Sequence, residues 1–152
     1  MIQAGTKAPE LTGNDQNGNA VSLGQFAGKK IVLYFYPKDD TPGCTAEACS
    51  FRDNYESLAA KGFAVIGVSP DSEKAHQKFI TKYELPFTLI ADTDKSIANA
   101  YGVWGKKKFM GREYEGILRT TFVIDENGVI EKVIDKVDTK DSTAQLLKVM
   151  GI

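Results

Sequence analysis

The run Ile31-Val32-Leu33-Tyr34-Phe35-Tyr36, closed by Pro37, constrains the fold more than any other stretch of this chain. Six consecutive apolar or aromatic residues that favour β-structure leave no polar face. The run therefore reads as a central strand buried on both faces. Phe63-Ala64-Val65-Ile66-Gly67-Val68 is a second run of the same kind. Between them, Thr45 to Leu58 is rich in helix formers and stops near Gly62. Strand, helix and strand make a β-α-β unit, and its crossover is expected to be right-handed.

The rest of the chain extends this unit. Asn17-Gly18 marks a hairpin turn near the start, so an N-terminal β-hairpin is expected. Asp71 to Tyr83 reads as a helix opened by Ser69-Pro70-Asp71, and His76, mid-helix, reads as a solvated surface residue. Phe87 to Ile90 is a short apolar segment, and Lys95 to Tyr101 a short helix. Trp104 to Phe109, with Lys106-Lys107-Lys108, reads as a solvated basic loop, with a partner-docking patch as the other reading. Thr120–Ile124 and Val129–Ile134 flank Asp125-Glu126-Asn127-Gly128, a clear hairpin signal. Asp141 to Met150 closes the chain as a helix, with Asp141 or Ser142 as N-cap. This order is that of a thioredoxin-like α/β fold: a central mixed sheet flanked by helices. No repeat or flexible linker divides the sequence, so residues 1–152 are expected to form one domain.

Charge narrows the function. Nineteen basic residues against twenty acidic ones leave a net charge of −1, which gives no reason to expect nucleic acid or an anionic membrane as a partner. The opening residues lack the apolar core of a secretory signal, and no run approaches the roughly 20 apolar residues that span a bilayer. A cytoplasmic location is the expectation. In a reducing compartment two cysteines do not serve as a staple, which gives weight to a redox or catalytic role.

Those cysteines are Cys44 and Cys49 in Pro37-Lys38-Asp39-Asp40-Thr41-Pro42-Gly43-Cys44-Thr45-Ala46-Glu47-Ala48-Cys49. The segment follows the C-terminal end of a buried strand, where open α/β sheets present their ligands. Thr41-Pro42 reads as N-cap and first helical residue, which makes Cys44 the third helical residue. Backbone N–H groups there lack intrahelical acceptors, and the helix dipole favours a thiolate, the nucleophilic form. Gly43 allows close approach to the backbone, and Thr41 places a hydroxyl at the same turn. The plainer alternative is a cysteine that merely fills space.

On one regular helix, Cα atoms five residues apart are ~8.7 Å from each other. A disulfide needs less than about 7 Å. Either the pair never bonds, or oxidation of Cys44 is followed by unwinding of the helix. The spacing is not the C-x-x-C of a thioredoxin-type reductase. Nor does it suit zinc, since His76 is the single histidine and there is no second cysteine pair.

At these residues the chain resembles the peroxiredoxins, and within them the bacterioferritin comigratory protein or peroxiredoxin Q group. Pro37, Thr41 and Cys44 match the P-x-x-x-[TS]-x-x-C pattern, and Arg119 in Gly116-Ile117-Leu118-Arg119-Thr120-Thr121-Phe122 matches the distant arginine. Cys49 matches the resolving cysteine of many members. The resemblance covers essentially the whole chain. It implies that the Cys44 thiolate attacks hydrogen peroxide or an organic hydroperoxide and becomes a sulfenic acid. Arg119 and Thr41 would then orient the peroxide, Pro37 would shield the sulfur, and the Gly43 and Cys44 N–H groups would complete the donor set. It further implies that Cys49 resolves the sulfenic acid as an intramolecular disulfide, which thioredoxin or a similar dithiol reduces. Glu47 is a candidate to hold Arg119 in orientation. The cycle needs no dimer and implies no metal, haem or flavin. Two rival readings are a thiol-disulfide oxidoreductase acting on protein disulfides, and a non-catalytic redox sensor or holdase.

Overall fold

The computed structural model describes residues 1–152. Its main sheet contains β1 (Asn14–Asp15), β2 (Lys30–Phe35), β3 (Phe63–Ser69), β4 (Thr88–Ala91), β7 (Thr120–Ile124) and β8 (Ile130–Ile134). The spatial order is β1-β4-β3-β2-β7-β8. β2, β3 and β4 run parallel, while β7 is antiparallel to β2 and β8 to β7. The apolar run forms β2, at the centre, and every residue from Ile31 to Tyr36 is buried.

Two cores explain why that run has no polar face. Ile31, Leu33 and Phe35 pack with Ile66, Tyr101 and Phe122 on one side of the sheet. Val32, Tyr34 and Tyr36 pack with Cys44, Phe51, Phe79 and Phe87 on the other. Gly67 of β3 makes room for this second core, because a Cβ there would lie 2.9 Å from the Tyr34 hydroxyl oxygen.

The expected first helix is two: α1 (Pro42–Asp53) and α2 (Tyr55–Ala60). Asn54 separates them, and its side-chain amide donates to the Ser50 carbonyl in a local alternative to the helix ladder. α3 (Glu73–Tyr83) begins two residues later than the sequence suggests, because Ser72 is its N-cap and accepts from the Ala75 N–H. α4 (Ser96–Tyr101) and α5 (Ser142–Met150) fall as expected, and Asp141 caps α5 by accepting from the Ala144 N–H.

Two hairpins depart from expectation. The Asn17-Gly18 turn forms, but it is closed by a single bridge, Asn14 to Ala20, and β1 pairs with β4 instead. The segment read as a basic loop is strand β5 (Trp104–Phe109), paired antiparallel with β6 (Arg112–Ile117) in a separate two-stranded sheet. Met110 and Gly111 at its tip both have positive φ, as a tight two-residue hairpin loop requires.

Candidate active site

The site lies where β2 hands the chain to α1. Pro37 ends the strand, and Thr41 precedes Pro42, the first residue of α1. Thr41 has the extended backbone of an N-cap, but its side chain caps nothing. Its hydroxyl instead donates to the Lys38 carbonyl at 2.8 Å, which leaves the oxygen lone pairs as acceptors toward the turn. The Thr45 N–H is bonded to the Thr41 carbonyl at 2.8 Å. The N–H groups of Gly43 and Cys44 fall before that bond, in the first turn, where helix geometry supplies no partner.

Cys44 is a free thiol only 1 % exposed, and Cys49, further along α1, is a free thiol partly exposed. Both cysteines therefore sit on one continuous helix, as their spacing in the sequence suggests. Arg119 arrives from the residue just before β7 and bridges two groups of α1. Its Nη2 donates to Cys44 Sγ at 3.3 Å, and its Nη1 donates to Glu47 Oε1 at 3.0 Å. Gly43 permits this approach, since a Cβ there would lie 3.3 Å from Arg119 Nη2.

Glu47 has no exposed side-chain surface, and its Oε2 has no hydrogen-bond partner. Burial pushes its carboxyl up to about 7, against the opposing pull of Arg119. The Tyr34 hydroxyl, which faces the same core, is the other buried side-chain atom without a partner, and burial drives it well above the usual tyrosine range. Partial burial works against the charge on Arg119, but the Cys44 sulfur and the Glu47 carboxylate overcome it and hold the guanidinium firmly charged. The site is thus a row of buried sulfur, partly buried guanidinium and buried carboxylate, where each charge acts more strongly than in water.

Pro37, Thr41, Gly43, Cys44, Glu47 and Arg119 therefore converge at one end of β2. One neighbour, Lys107 of β5, is not foreseen from the sequence. Burial lowers its ammonium pKa and the nearby Arg119 charge adds to this, while Cys44 pulls the other way. The Lys107 stem lies over Gly116, whose added Cβ would meet it at 3.2 Å. The β5–β6 hairpin thus places Lys107 where the charges of Arg119 and Cys44 act on it. Only recognition of the hairpin, through Met110-Gly111 and the Lys107–Tyr114 pairing, could have found it.

A further correction concerns His76. It is fully buried, not a surface residue, and both ring nitrogens are engaged. Nδ1 lies 2.6 Å from Asp39 Oδ2, and Nε2 lies 2.9 Å from the Ile90 carbonyl oxygen.

With this geometry in place, comparison with known proteins is specific. Residues 4–133 match the AhpC/TSA family, and the chain belongs to it. Peroxiredoxin Bcp of Bacillus subtilis is 50% identical over 149 residues, covering 98% of this chain and 95% of that protein. Peroxiredoxin Bcp of Escherichia coli is 44% identical over 140 residues, covering 92% and 90%. Among solved structures, the bacterioferritin comigratory protein of Xanthomonas campestris, studied for its alkyl peroxide reduction, superposes with a TM-score of 0.87. It is 30% identical, and the match covers 98% of each chain. The chain is thus similar throughout to peroxiredoxins of the Bcp and peroxiredoxin Q type, and it is a peroxiredoxin enzyme with a thioredoxin-like fold.

Proposed function

We propose that the chain reduces hydrogen peroxide and organic hydroperoxides through Cys44, with Cys49 as resolving thiol and thioredoxin or a similar dithiol as reductant. The observation that carries this reading is the contact between Arg119 Nη2 and Cys44 Sγ at 3.3 Å, in the first turn of α1. In the first step the thiolate sulfur attacks the terminal peroxide oxygen and the O–O bond breaks. The sulfur becomes a sulfenic acid, and the other oxygen leaves as water or an alcohol once protonated. Charge grows on that leaving oxygen, so donors aimed at it lower the barrier. Arg119 is positioned to act on both the sulfur and the peroxide, since Nη2 already reaches the sulfur. Thr41 has a lone pair free to accept from the peroxide O–H, because its own proton is committed to Lys38. Pro37 is half-buried beside this turn and limits water around the sulfenic acid. Glu47 fixes Arg119 by the bond to Nη1.

In the second step the Cys49 thiolate attacks the Cys44 sulfur and displaces the sulfenic hydroxyl, which takes up a proton and leaves as water, giving the disulfide. The ~8.7 Å helical separation exceeds what the bond tolerates, so the first turn of α1 must unwind. Opening one turn costs far less than global unfolding. An external dithiol then reduces the disulfide by exchange and restores the helix. Both thiols belong to one chain, which supports a monomer. A near-neutral net charge, together with no helix long and apolar enough to cross a membrane, is compatible with a cytoplasmic site of action.

Steady-state peroxide consumption driven by a thioredoxin system tests the reading. Cys44→Ser is expected to abolish consumption. Cys49→Ser is expected to keep the first oxidation of Cys44 and lose dithiol-driven turnover. Full turnover in Cys49→Ser would remove Cys49 from the resolving role. Insulin reduction by the parent protein without peroxide consumption would favour the oxidoreductase alternative.

A further inference from the structure

The loop that carries Pro37 and Thr41 is held from below by a second buried polar cluster. Asp39, midway between those residues, is its centre. Asp39 Oδ1 accepts from the Tyr36 hydroxyl at 2.6 Å, and Oδ2 lies 2.6 Å from His76 Nδ1. The Asp39 N–H donates to Asp71 Oδ2 at 2.8 Å, and the Ser69 hydroxyl donates to that same oxygen at 2.6 Å. Because the Ile90 carbonyl can only accept, His76 Nε2 must carry a proton. A second proton then lies between Nδ1 and Oδ2, as an imidazolium beside a carboxylate or as a neutral acid beside an imidazole. In either form both ring nitrogens and both Asp39 oxygens are satisfied, so the carboxyl is fixed in position and orientation.

Asp39, Asp71 and His76 could in principle gather a metal ion. Their facing atoms are already committed to hydrogen bonds within the cluster. The next residue extends the hold, since Asp40 accepts from Lys82 Nζ at 2.7 Å and from the Tyr83 hydroxyl at 2.6 Å. The loop is therefore fastened along the length of α3, at His76, Lys82 and Tyr83.

The far end of α1 is fastened too. Ser50 exchanges hydrogen bonds with Thr143 of α5, and Arg52 Nη1 donates to the Tyr83 carbonyl at 2.9 Å. Between Asp40 and Ser50 the side-chain bonds from α1 to the rest of the protein are those of Arg119. This is the stretch that has to unwind if Cys44 is to meet Cys49. We infer that Asp39 and His76 are positioning residues for the Cys44 chemistry. They pin the upstream end of the unwinding segment to α3, so that Pro37, Thr41 and Cys44 return to the reactive arrangement. This rests on the reading of Cys44 as the peroxide-reactive thiol.

The test uses the full chain with Asp39→Ala, Asp39→Asn and Tyr36→Phe. Asparagine can accept from Tyr36 and donate to a neutral His76, so it restores the hydrogen bonds without the charge. Two quantities are read: the rate of Cys44 oxidation by hydrogen peroxide in quenched samples, and amide hydrogen exchange along α1, β2 and α3. In Asp39→Ala, oxidation is expected to slow by about tenfold, as for a displacement smaller than the ~1 Å misplacement that costs about a hundredfold. Exchange should rise at Thr45–Ala48, whose N–H groups make the first bonds of α1, ahead of any rise in β2. Asp39→Asn should recover most of both, and Tyr36→Phe should fall between.

A cluster that served only to stabilise the fold would raise exchange in β2 and α3 as much as in the first turn. That pattern, or parent-like exchange at Thr45–Ala48 in Asp39→Ala, overturns the inference. Should Asp39→Ala not fold, Tyr36→Phe decides by the same criteria. The exchange measurement needs no peroxide. An inert Cys44 in the parent would refute the peroxidase reading and still leave the pinning of the turn measurable.

Discussion

Two buried polar clusters flank the end of β2, and they are built on opposite terms. Around Asp39 and His76 the facing donors and acceptors find partners on α3, on β4 and in the loops that follow β2 and β3. Around Cys44 the set is incomplete: Glu47 Oε2 and the Tyr34 hydroxyl are buried without partners, and the Thr41 oxygen keeps free lone pairs. Satisfied networks rigidify, whereas an unpartnered buried group raises the energy of its surroundings. On the proposed function, the saturated cluster would hold the backbone still, and the free lone pairs of Thr41 in the incomplete one would be open to a peroxide.

The largest expected effect that would break this contrast comes from Arg119→Met. Methionine keeps an apolar stem but removes both bonds, so Cys44 loses its only side-chain donor and Glu47 its only partner. The second-order rate of Cys44 oxidation should fall by about a hundredfold, as when one preorganised donor is removed elsewhere. A rate within a factor of two of the parent would show that the guanidinium does not act on the reaction.

Glu47→Gln is a smaller and sharper probe. The folded carboxyl is raised from 4.5 to about 7, so between those values the folded state binds more protons than the unfolded chain. Its contribution to stability is full below 4.5 and is lost as pH rises through about 7, at a slope of up to roughly 1.4 kcal/mol per pH unit across that interval. Chemical denaturation of the parent at pH 5 and pH 7.5 should show that decline, and Glu47→Gln should show a flatter profile. Equal pH slopes in the two proteins would mean that Glu47 is not buried against an incomplete set of partners. Oxidation of Cys44 in the variant should slow by severalfold, less than in Arg119→Met, because Arg119 keeps its bond to the sulfur.

The same contrast explains what was legible in the sequence. β2, β3 and α1 carry local signals: apolar runs with no polar face, Pro37 as a stop, and Thr41-Pro42 as a start. The first turn with Cys44 followed from those alone. Arg119 is 75 residues from Cys44, and only the resemblance to a family with an arginine at that position marked it beforehand. His76 reads as a surface residue because a lone polar residue mid-helix usually faces water, whereas its partner Asp39 is 37 residues away in the sequence. The available signal was helical spacing. His76, Phe79 and Tyr83 fall on one face of α3, and His76 and Phe79 are both fully or nearly fully buried. β5 and β6 escaped because Lys106, Lys108, Glu113 and Glu115 give neither strand an apolar face, and most of both strands is exposed. The Asn17-Gly18 turn forms as its sequence suggests, but the residues around it are too polar to extend a ladder beyond one bridge.

The most direct test of the central claim is to reduce the protein, add one equivalent of hydrogen peroxide, and map the thiols by mass spectrometry within seconds. A disulfide between Cys44 and Cys49 is the predicted product, and it requires the first turn of α1 to have unwound. Two intact thiols would contradict the account, because a sulfur held by Arg119 at the start of α1 would then be no nucleophile toward peroxide.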